Sequence, residues 1–296
     1  MFLTVSQASS SNPILIAVAF GLVGFLVHRG LYLYGFFQIP IIPKDSRVWT
    51  LTQTLSCFGI YFINSFVLIP IIYEIVSKIF FYYDSSALEE KKTQMLALQA
   101  IYVTFNLLLL GIYLYFQDKK RVMSIWKDPL VKRENSYLYD ILIGFSTWFV
   151  AFPVIVAVNT LCEYIIDIFA KSAEVDQVAV KFLKINANSF FSLIIVLFMI
   201  IVSAPLIEEF LFRGCLQNYL RQKYGVKIAI IVTSLFFSAM HFAVSQSLSN
   251  ISLILSLFVF SIYLGFVYEK TRSLLSCITL HMTFNAISAV RIVFFN

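Results

Sequence analysis

Residues 203–214, SAPLIEEFLFRG, place two carboxylates and one guanidinium inside a long apolar run. Apolar residues continue on both sides of this stretch, over residues 190–220. A helix needs about 20 consecutive apolar residues to cross the hydrocarbon core of a bilayer, and this run is longer than that. The stretch therefore predicts a transmembrane helix that carries Glu208, Glu209 and Arg213 within the membrane.

The composition of the whole chain predicts the same environment for most of its length. Of the 296 residues, 60% are hydrophobic and 13% are charged, which is more apolar than a soluble domain of this size requires. The apolar runs are continuous, whereas a transmembrane β-barrel shows alternating polarity. We therefore predict an all-α, polytopic integral membrane protein with about eight transmembrane helices in one bundle. The predicted spans are residues 13–27, 55–80, 95–116, 137–166, 190–220, 228–244, 251–268 and 274–295.

The distribution of basic residues predicts the orientation of these spans. Loops on one side of the bundle hold fifteen of the 22 Lys and Arg residues, and loops on the other side hold seven. By the positive-inside rule both termini are predicted to lie outside, across the plasma membrane if the source is prokaryotic. This bias and anionic headgroups account for the net charge of +6. The expected partner is therefore the lipid bilayer and not a nucleic acid.

The predicted depth of three polar residues in the membrane places one glutamate near two histidines. Glu208 lies thirteen residues before Arg221, or about 20 Å from the inner end of its helix at about 1.5 Å per residue. His241 lies fourteen residues after Lys227 on the next, antiparallel span, so it is predicted to reach the same depth. His281 lies on the last span, also within the membrane. The side chains of Glu208 and His241 are therefore predicted to face one another, and His281 is predicted to lie somewhat shallower.

Helical phase separates the two adjacent glutamates. Glu209 and Arg213 are four residues apart, so they share one helix face and can form an ion pair in the favourable order. A lone charge at the centre of a membrane helix costs about 2.5 to 3.5 kcal/mol on insertion scales, and pairing removes much of that cost. We therefore predict a structural ion pair between Glu209 and Arg213. Glu208 points about 100° away and is left to find a basic group across the bundle.

The last span adds a second pair of polar residues on one face. His281 and Asn285, in the sequence HMTFN, are again four residues apart. An imidazole and an amide side by side can donate hydrogen bonds to a single oxygen, which stabilises the oxyanion that develops during acyl transfer. The predicted intramembrane site therefore consists of Glu208, His241, His281 and Asn285.

Three motifs in this order resemble the CPBP family, the CAAX proteases and bacteriocin-processing enzymes also called the Abi family. EEFLFRG at residues 208–214 matches the pattern EExxxR, FFSAMH at 236–241 matches FxxxH, and HMTFN at 281–285 matches HxxxN. The resemblance covers residues 189–295. It implies a catalytic core of four spans in residues 187–296, preceded by four variable N-terminal spans in residues 1–186.

The resemblance implies an intramembrane endopeptidase similar to type II CAAX prenyl proteases. Its substrate would be a membrane-bound peptide or a lipidated protein. Carried over by position, Glu208 would activate the attacking water, and His241 would assist it as a base or a metal ligand. His281 and Asn285 would bind the oxyanion.

Two mechanisms of water activation stay open at this point. A zinc ion bound by Glu208, His241 and His281 would keep a fourth position open for water. Alternatively, Glu208 acts as a general base without a metal. The sequence lacks the zinc motif HExxH, and Asn285 is a hydrogen-bonding group rather than a ligand. These features slightly favour the mechanism without a metal.

Other classes of function fit the same residues. Intramembrane carboxylates and histidines also serve proton-coupled transporters, although the sequence shows no internal repeat of the kind that many transporters contain. A third alternative is a non-catalytic member of the family that acts as an immunity or scaffold protein by binding peptides.

Overall fold

The computed structural model describes residues 12–40, 49–80, 88–127, 137–170, 178–246 and 248–295. Regular structure in these ranges is helical, apart from one isolated bridge between Lys127 and Ser273. The predicted all-α fold class is therefore confirmed. The α-helices are α1 (Pro13–Leu33), α2 (Leu51–Ile63), α3 (Ile69–Phe80), α4 (Leu88–Tyr115), α5 (Lys119–Trp126), α6 (Tyr137–Ala170), α7 (Val178–Asn186), α8 (Phe190–Phe198), α9 (Ala204–Glu209), α10 (Asn218–Tyr224), α11 (Val226–Ala239), α12 (Ser249–Thr271) and α13 (Leu274–Phe295).

Seven helices within the described ranges are long and apolar enough to cross a membrane, which confirms a polytopic, multi-pass protein. They are Pro13–Leu33, Leu51–Ile75, Thr93–Tyr115, Tyr137–Phe169, Phe190–Tyr224, Ser249–Thr271 and Leu274–Phe295.

The predicted span at residues 228–244 is the exception. Helix α11 has 14 residues and ends at Ala239, so at about 1.5 Å per residue it is roughly 21 Å long, whereas the hydrocarbon core is about 30 Å thick. His241 therefore lies in the turn after α11. The expectation that it lies on a helix was wrong, because the chain leaves the helical path two residues earlier.

Two of the spans contain a π-helical segment just before a proline. Asn64–Leu68 precedes Pro70, and Met199–Ser203 precedes Pro205. Proline has no N–H and its ring crowds the carbonyl four residues earlier, and a local π-helical turn lets a membrane helix satisfy the backbone groups that are affected. A third π-helical segment, Phe210–Gln217, follows α9. The helix at residues 190–224 thereby continues through the charged stretch.

Helix α6 joins the N-terminal spans to the C-terminal ones. It runs through Pro153 to Ala170, so the proline does not end the helix. It packs against α1, α12 and α13. At Gly144 the approach to α13 is so close that a Cβ atom would overlap the carbonyl oxygen of Ser276. The helix that carries His281 thus packs directly on a helix from the N-terminal part, and the division at residue 186 stays a prediction.

A buried ionic network fixes the turn between α12 and α13. The carboxylate of Glu269 is fully buried, 2.9 Å from Nε of Arg221 and 3.4 Å from Nη1 of Arg272, and it accepts a hydrogen bond from Gln217. Arg272 ends α12 with a φ of 49°, in the left-handed region. Both arginines therefore pair with a buried carboxylate, and the orientation of the termini stays a prediction.

Candidate active site

Three elements of the structure bring the predicted polar residues together. Glu208 and Glu209 end the short helix α9, which lies between two π-helical segments. His241 follows α11, and both His281 and Asn285 lie on α13. Helix α13 packs against α9, and α11 packs against the π-helical segment that follows α9. The site is therefore assembled from residues that are up to 77 positions apart in the sequence.

Glu208 lies between the two histidines. Its Oε2 atom is 3.9 Å from Nε2 of His241 and 3.9 Å from Nε2 of His281. This oxygen is buried and has no hydrogen-bond partner among the described residues, although 22% of the side chain is exposed. A separation of 3.9 Å is too long for a direct hydrogen bond. It is a separation that one bridging water molecule can span, with a hydrogen bond of about 2.8 Å to each of the two atoms that it joins.

The other ring nitrogens hold the two imidazoles in place. Nδ1 of His241 donates to the carbonyl oxygen of Phe237 at 2.8 Å, and Nδ1 of His281 donates to Oε1 of Glu209 at 2.7 Å. A carbonyl oxygen and an ion-paired carboxylate only accept hydrogen bonds. Each neutral ring therefore carries its hydrogen on Nδ1 and presents the lone pair of Nε2 towards Glu208.

The predicted ion pair lies beside this group and is fully buried. Nη1 of Arg213 donates to Oε1 of Glu209 at 3.1 Å. Two further partners of the pair have no signal in the local sequence. His281 shares the same carboxylate oxygen, and Nη2 of Arg213 donates to the hydroxyl and the carbonyl of Ser261 on α12. Glu209 thus contacts a histidine of the site as well as its arginine.

Aromatic rings enclose the histidines. The ring of Phe237 lies 4.8 Å from the ring of His241, 5.9 Å from that of His281 and 4.7 Å from the guanidinium of Arg213. Phe260 lies 5.4 Å from His281 on another side. Phe237 is the first residue of the motif FxxxH. Its four-residue spacing from His241 is the feature of the sequence that indicates a contact between the two rings. These rings present apolar surface to the site and lower the local dielectric, which strengthens charged contacts there.

Asn285 lies one turn beyond His281, but its amide has a contact of its own. Nδ2 donates to the carbonyl oxygen of Ile200 at 2.8 Å, within the π-helical segment Met199–Ser203. An amide nitrogen carries two hydrogens, so a second donor remains. That His281 and Asn285 bind one oxygen together stays a prediction.

The placement of Glu208, His241 and His281 does not fit a formed zinc site. A carboxylate and two imidazoles are donor types that zinc accepts. Donor atoms in a tetrahedral site with bonds of about 2.0 Å lie roughly 3.3 Å apart, whereas the carboxylate oxygen here is 3.9 Å from each nitrogen. In the part of the chain that the structure describes, no three His, Cys, Asp or Glu side chains are grouped closely enough to hold a metal ion.

The same segment of the chain matches a protein family. Residues 190–287 match the family model described as Type II CAAX prenyl endopeptidase Rce1-like. No curated protein and no solved structure matches the chain. The family supports a CAAX-type intramembrane protease as the kind of function, and it does not favour a transporter. The resemblance inferred from the three motifs is confirmed by this match, which covers residues 190–287.

Proposed function

We propose that this protein is an intramembrane endopeptidase in which Glu208 activates a water molecule to hydrolyse a peptide bond. The observation that carries the proposal is the carboxylate oxygen of Glu208 at 3.9 Å from an imidazole nitrogen of both His241 and His281. Water held at this point donates one hydrogen to the carboxylate and the other to an imidazole. The water oxygen then attacks the scissile carbonyl while Glu208 takes a proton.

The two histidines have different tasks in this mechanism. His241 is the more open of the two, with 33% of its side chain exposed against 6% for His281. His241 therefore passes the proton that Glu208 takes from the water to the leaving amine as the peptide bond breaks. His281 enters the reaction in its protonated form, which the carboxylate of Glu209 stabilises, and its Nε2–H donates to the oxyanion. Asn285 supplies the second donor. No step in this mechanism uses zinc, because the spacing of the three side chains does not suit it.

The substrate we propose is a membrane-bound, lipidated peptide or protein with a CAAX C-terminus. The family match supports the CAAX class. The position of Glu208 within a membrane-crossing helix supports a substrate that is anchored in the bilayer by its own lipid chain. Such an anchor holds the peptide at the depth of the site and so reduces the entropy cost of binding.

Purified protein in lipid nanodiscs is expected to release the C-terminal tripeptide from a farnesylated CAAX peptide, as detected by mass spectrometry. The same peptide without the farnesyl group is the control, and we expect slower release from it. A metal chelator is expected to leave the rate unchanged. Folded protein that releases nothing would contradict the proposed substrate, and activity that a chelator removes and zinc restores would contradict the metal-free mechanism.

Asn285→Ala is expected to lower kcat by about 100-fold and to leave KM nearly unchanged. Removal of one donor to an oxyanion has an effect of this size, and the effect falls on the transition state rather than on substrate binding. The measurement is the steady-state cleavage of the farnesylated peptide. Asn159→Ala is the matched control, because Asn159 is a buried asparagine on α6 that bonds to Ser256. A rise in KM at constant kcat would contradict the role of Asn285.

A further inference from the structure

The turn that carries His241 lies where the main chain leaves α11. The N–H of His241 donates to the carbonyl oxygen of Ser238, and the N–H of Phe242 donates to that of Ala239. The next residue, Ala243, bonds instead to a side chain of α12. Main-chain bonding to α11 therefore passes to a contact with another helix within two residues of His241.

The amide of Asn250 bonds to both main-chain groups of Ala243. Oδ1 of Asn250 accepts from the N–H of Ala243 at 3.0 Å, and Nδ2 donates to the carbonyl oxygen of Ala243 at 2.8 Å. Asn250 lies in the first turn of α12 and is only 3% exposed. Main-chain groups that leave a helix inside an apolar bundle need other partners. One buried side chain thus supplies a donor and an acceptor to the residue that follows the turn.

Side-chain packing contributes little to the position of this segment. Phe242 and Val244, on either side of Ala243, are 57% and 88% exposed. A segment with few buried apolar contacts is held only weakly by packing. The two hydrogen bonds to Asn250 therefore provide much of the restraint on the chain just after His241.

Helix α12 also contacts two other parts of the candidate active site. Ser261 bonds to Arg213, and the ring of Phe260 lies 5.4 Å from that of His281. Asn250 and Ser261 are eleven positions apart, which is about three helical turns, so they lie on the same face of α12. The helix that holds Ala243 is therefore the helix that also contacts the ion pair and the second histidine.

We propose that Asn250 is a positioning residue that holds His241 where its ring faces Glu208. The inference rests on the proposed function, in which His241 passes a proton to the leaving amine. Proton transfer requires hydrogen-bond reach between the two groups, and a misplacement of about 1 Å can cost about 100-fold in rate. The bond from Nδ1 of His241 to Phe237 fixes the ring only relative to the end of α11. The amide of Asn250 fixes the chain beyond that end relative to α12 and to the rest of the site.

The kinetic test compares two leaving groups in Asn250→Leu, which removes both hydrogen bonds and keeps a similar side-chain volume. One farnesylated CAAX peptide has the scissile amide, and the other has a thioester at that bond. An amine must gain a proton to leave, whereas a thiolate leaves without one. We expect kcat for the amide to fall about 100-fold and kcat for the thioester to fall less than about tenfold, with KM nearly unchanged for both. An equal fall for the two peptides would overturn the proposal.

A signal from His241 itself tests the position of the ring without any substrate. The chain has three histidines, His28, His241 and His281, so solid-state NMR of protein labelled with ¹⁵N at histidine in lipid bilayers gives few ring signals. We expect Asn250→Leu to shift the Nε2 signal of His241. The signals of His28, which bonds to Tyr263, should stay in place and show that the fold is intact. An unchanged His241 signal would overturn the proposal.

The matched control disturbs the same helix without releasing Ala243. Asn159→Leu removes a buried asparagine that bonds to Ser256 on α12, and it should leave both the ratio of the two kcat values and the His241 signal as in the wild type. Changes as large as those in Asn250→Leu would overturn the proposal, because any disturbance of α12 would then move His241.

A second variant serves if Asn250→Leu does not fold. Asn250→Asp keeps the acceptor for the N–H of Ala243 but loses the donor, and a carboxylate is favoured in the first turn of a helix. It should show smaller changes of the same kind, and an unchanged kcat with an unchanged His241 signal would overturn the proposal. A wild type that cleaves neither peptide contradicts the proposed function, and the His241 signal then decides by itself whether Asn250 positions this ring.

Discussion

Glu208→Gln is expected to abolish peptide cleavage, with a loss of at least about 10³-fold in kcat, while the protein stays as stable as the wild type. A carboxamide has the size of the carboxylate but cannot take a proton from water. Oε2 of Glu208 has no hydrogen-bond partner among the described residues, so the substitution breaks no bond at that atom. The measurements are single-turnover cleavage of the farnesylated peptide and the Tm in detergent.

Two further variants serve as controls for this result. Glu74→Gln makes the same chemical change in a side chain that is 67% exposed and paired with Lys78, and it should retain full activity. Glu208→Asp keeps the carboxylate but withdraws it by one methylene, so we expect an intermediate rate. Wild-type cleavage by Glu208→Gln would show that another group activates the water.

Arg213→Met is expected to lower the free energy of unfolding by about 3 kcal/mol or more and to remove activity. Arg213 is fully buried and contacts Glu209, Ser261 and the ring of Phe237. Loss of one partner leaves a charged carboxylate in a dry bundle, which is far more costly than the absence of both partners. Activity falls as well, because the carboxylate that holds His281 loses its own partner. Thermal unfolding in detergent and the cleavage rate measure the two effects.

A double variant separates stability from activity. Glu209→Gln combined with Arg213→Met removes the charge as well as its partner, so it should be more stable than Arg213→Met alone. It should remain inactive, since a neutral amide does not stabilise a protonated His281. Arg29→Met, at an exposed arginine of α1, is the control and should change neither property. A double variant no more stable than Arg213→Met would show that the charge of Glu209 is not what destabilises the bundle.

Much of the fold could be predicted from the sequence because the membrane imposes simple rules. Backbone groups in hydrocarbon must bond within their own segment, so a run of about 20 apolar residues predicts a helix almost without regard to its neighbours. The short helix α11 does not follow this rule. Its apolar run continues to Val244, but the chain turns at Met240 and His241, where contacts across the bundle decide the path.

The two adjacent glutamates show what helical periodicity alone predicts within the site. Helical periodicity alone places Arg213 beside Glu209 and turns Glu208 away, and the structure has the two carboxylates in different surroundings: Glu209 is fully buried and paired, whereas 22% of the Glu208 side chain is exposed. Periodicity within one helix is set by 3.6 residues per turn. The sequence by itself therefore determined which of the two glutamates pairs with Arg213.

Contacts between helices had no such local signal. Several contacts depend on how separate helices pack. His281 shares the carboxylate of Glu209, Asn285 bonds to Ile200, and Asn64 and Asn106 donate to the same carbonyl oxygen. The packing angles and rotations of helices arise from the shapes of many side chains at once. The spacing of residues within one helix therefore does not predict them. The sequence determined the membrane class, most of the spans and which glutamate pairs with Arg213, and only the tertiary structure decided what each polar group contacts across the bundle.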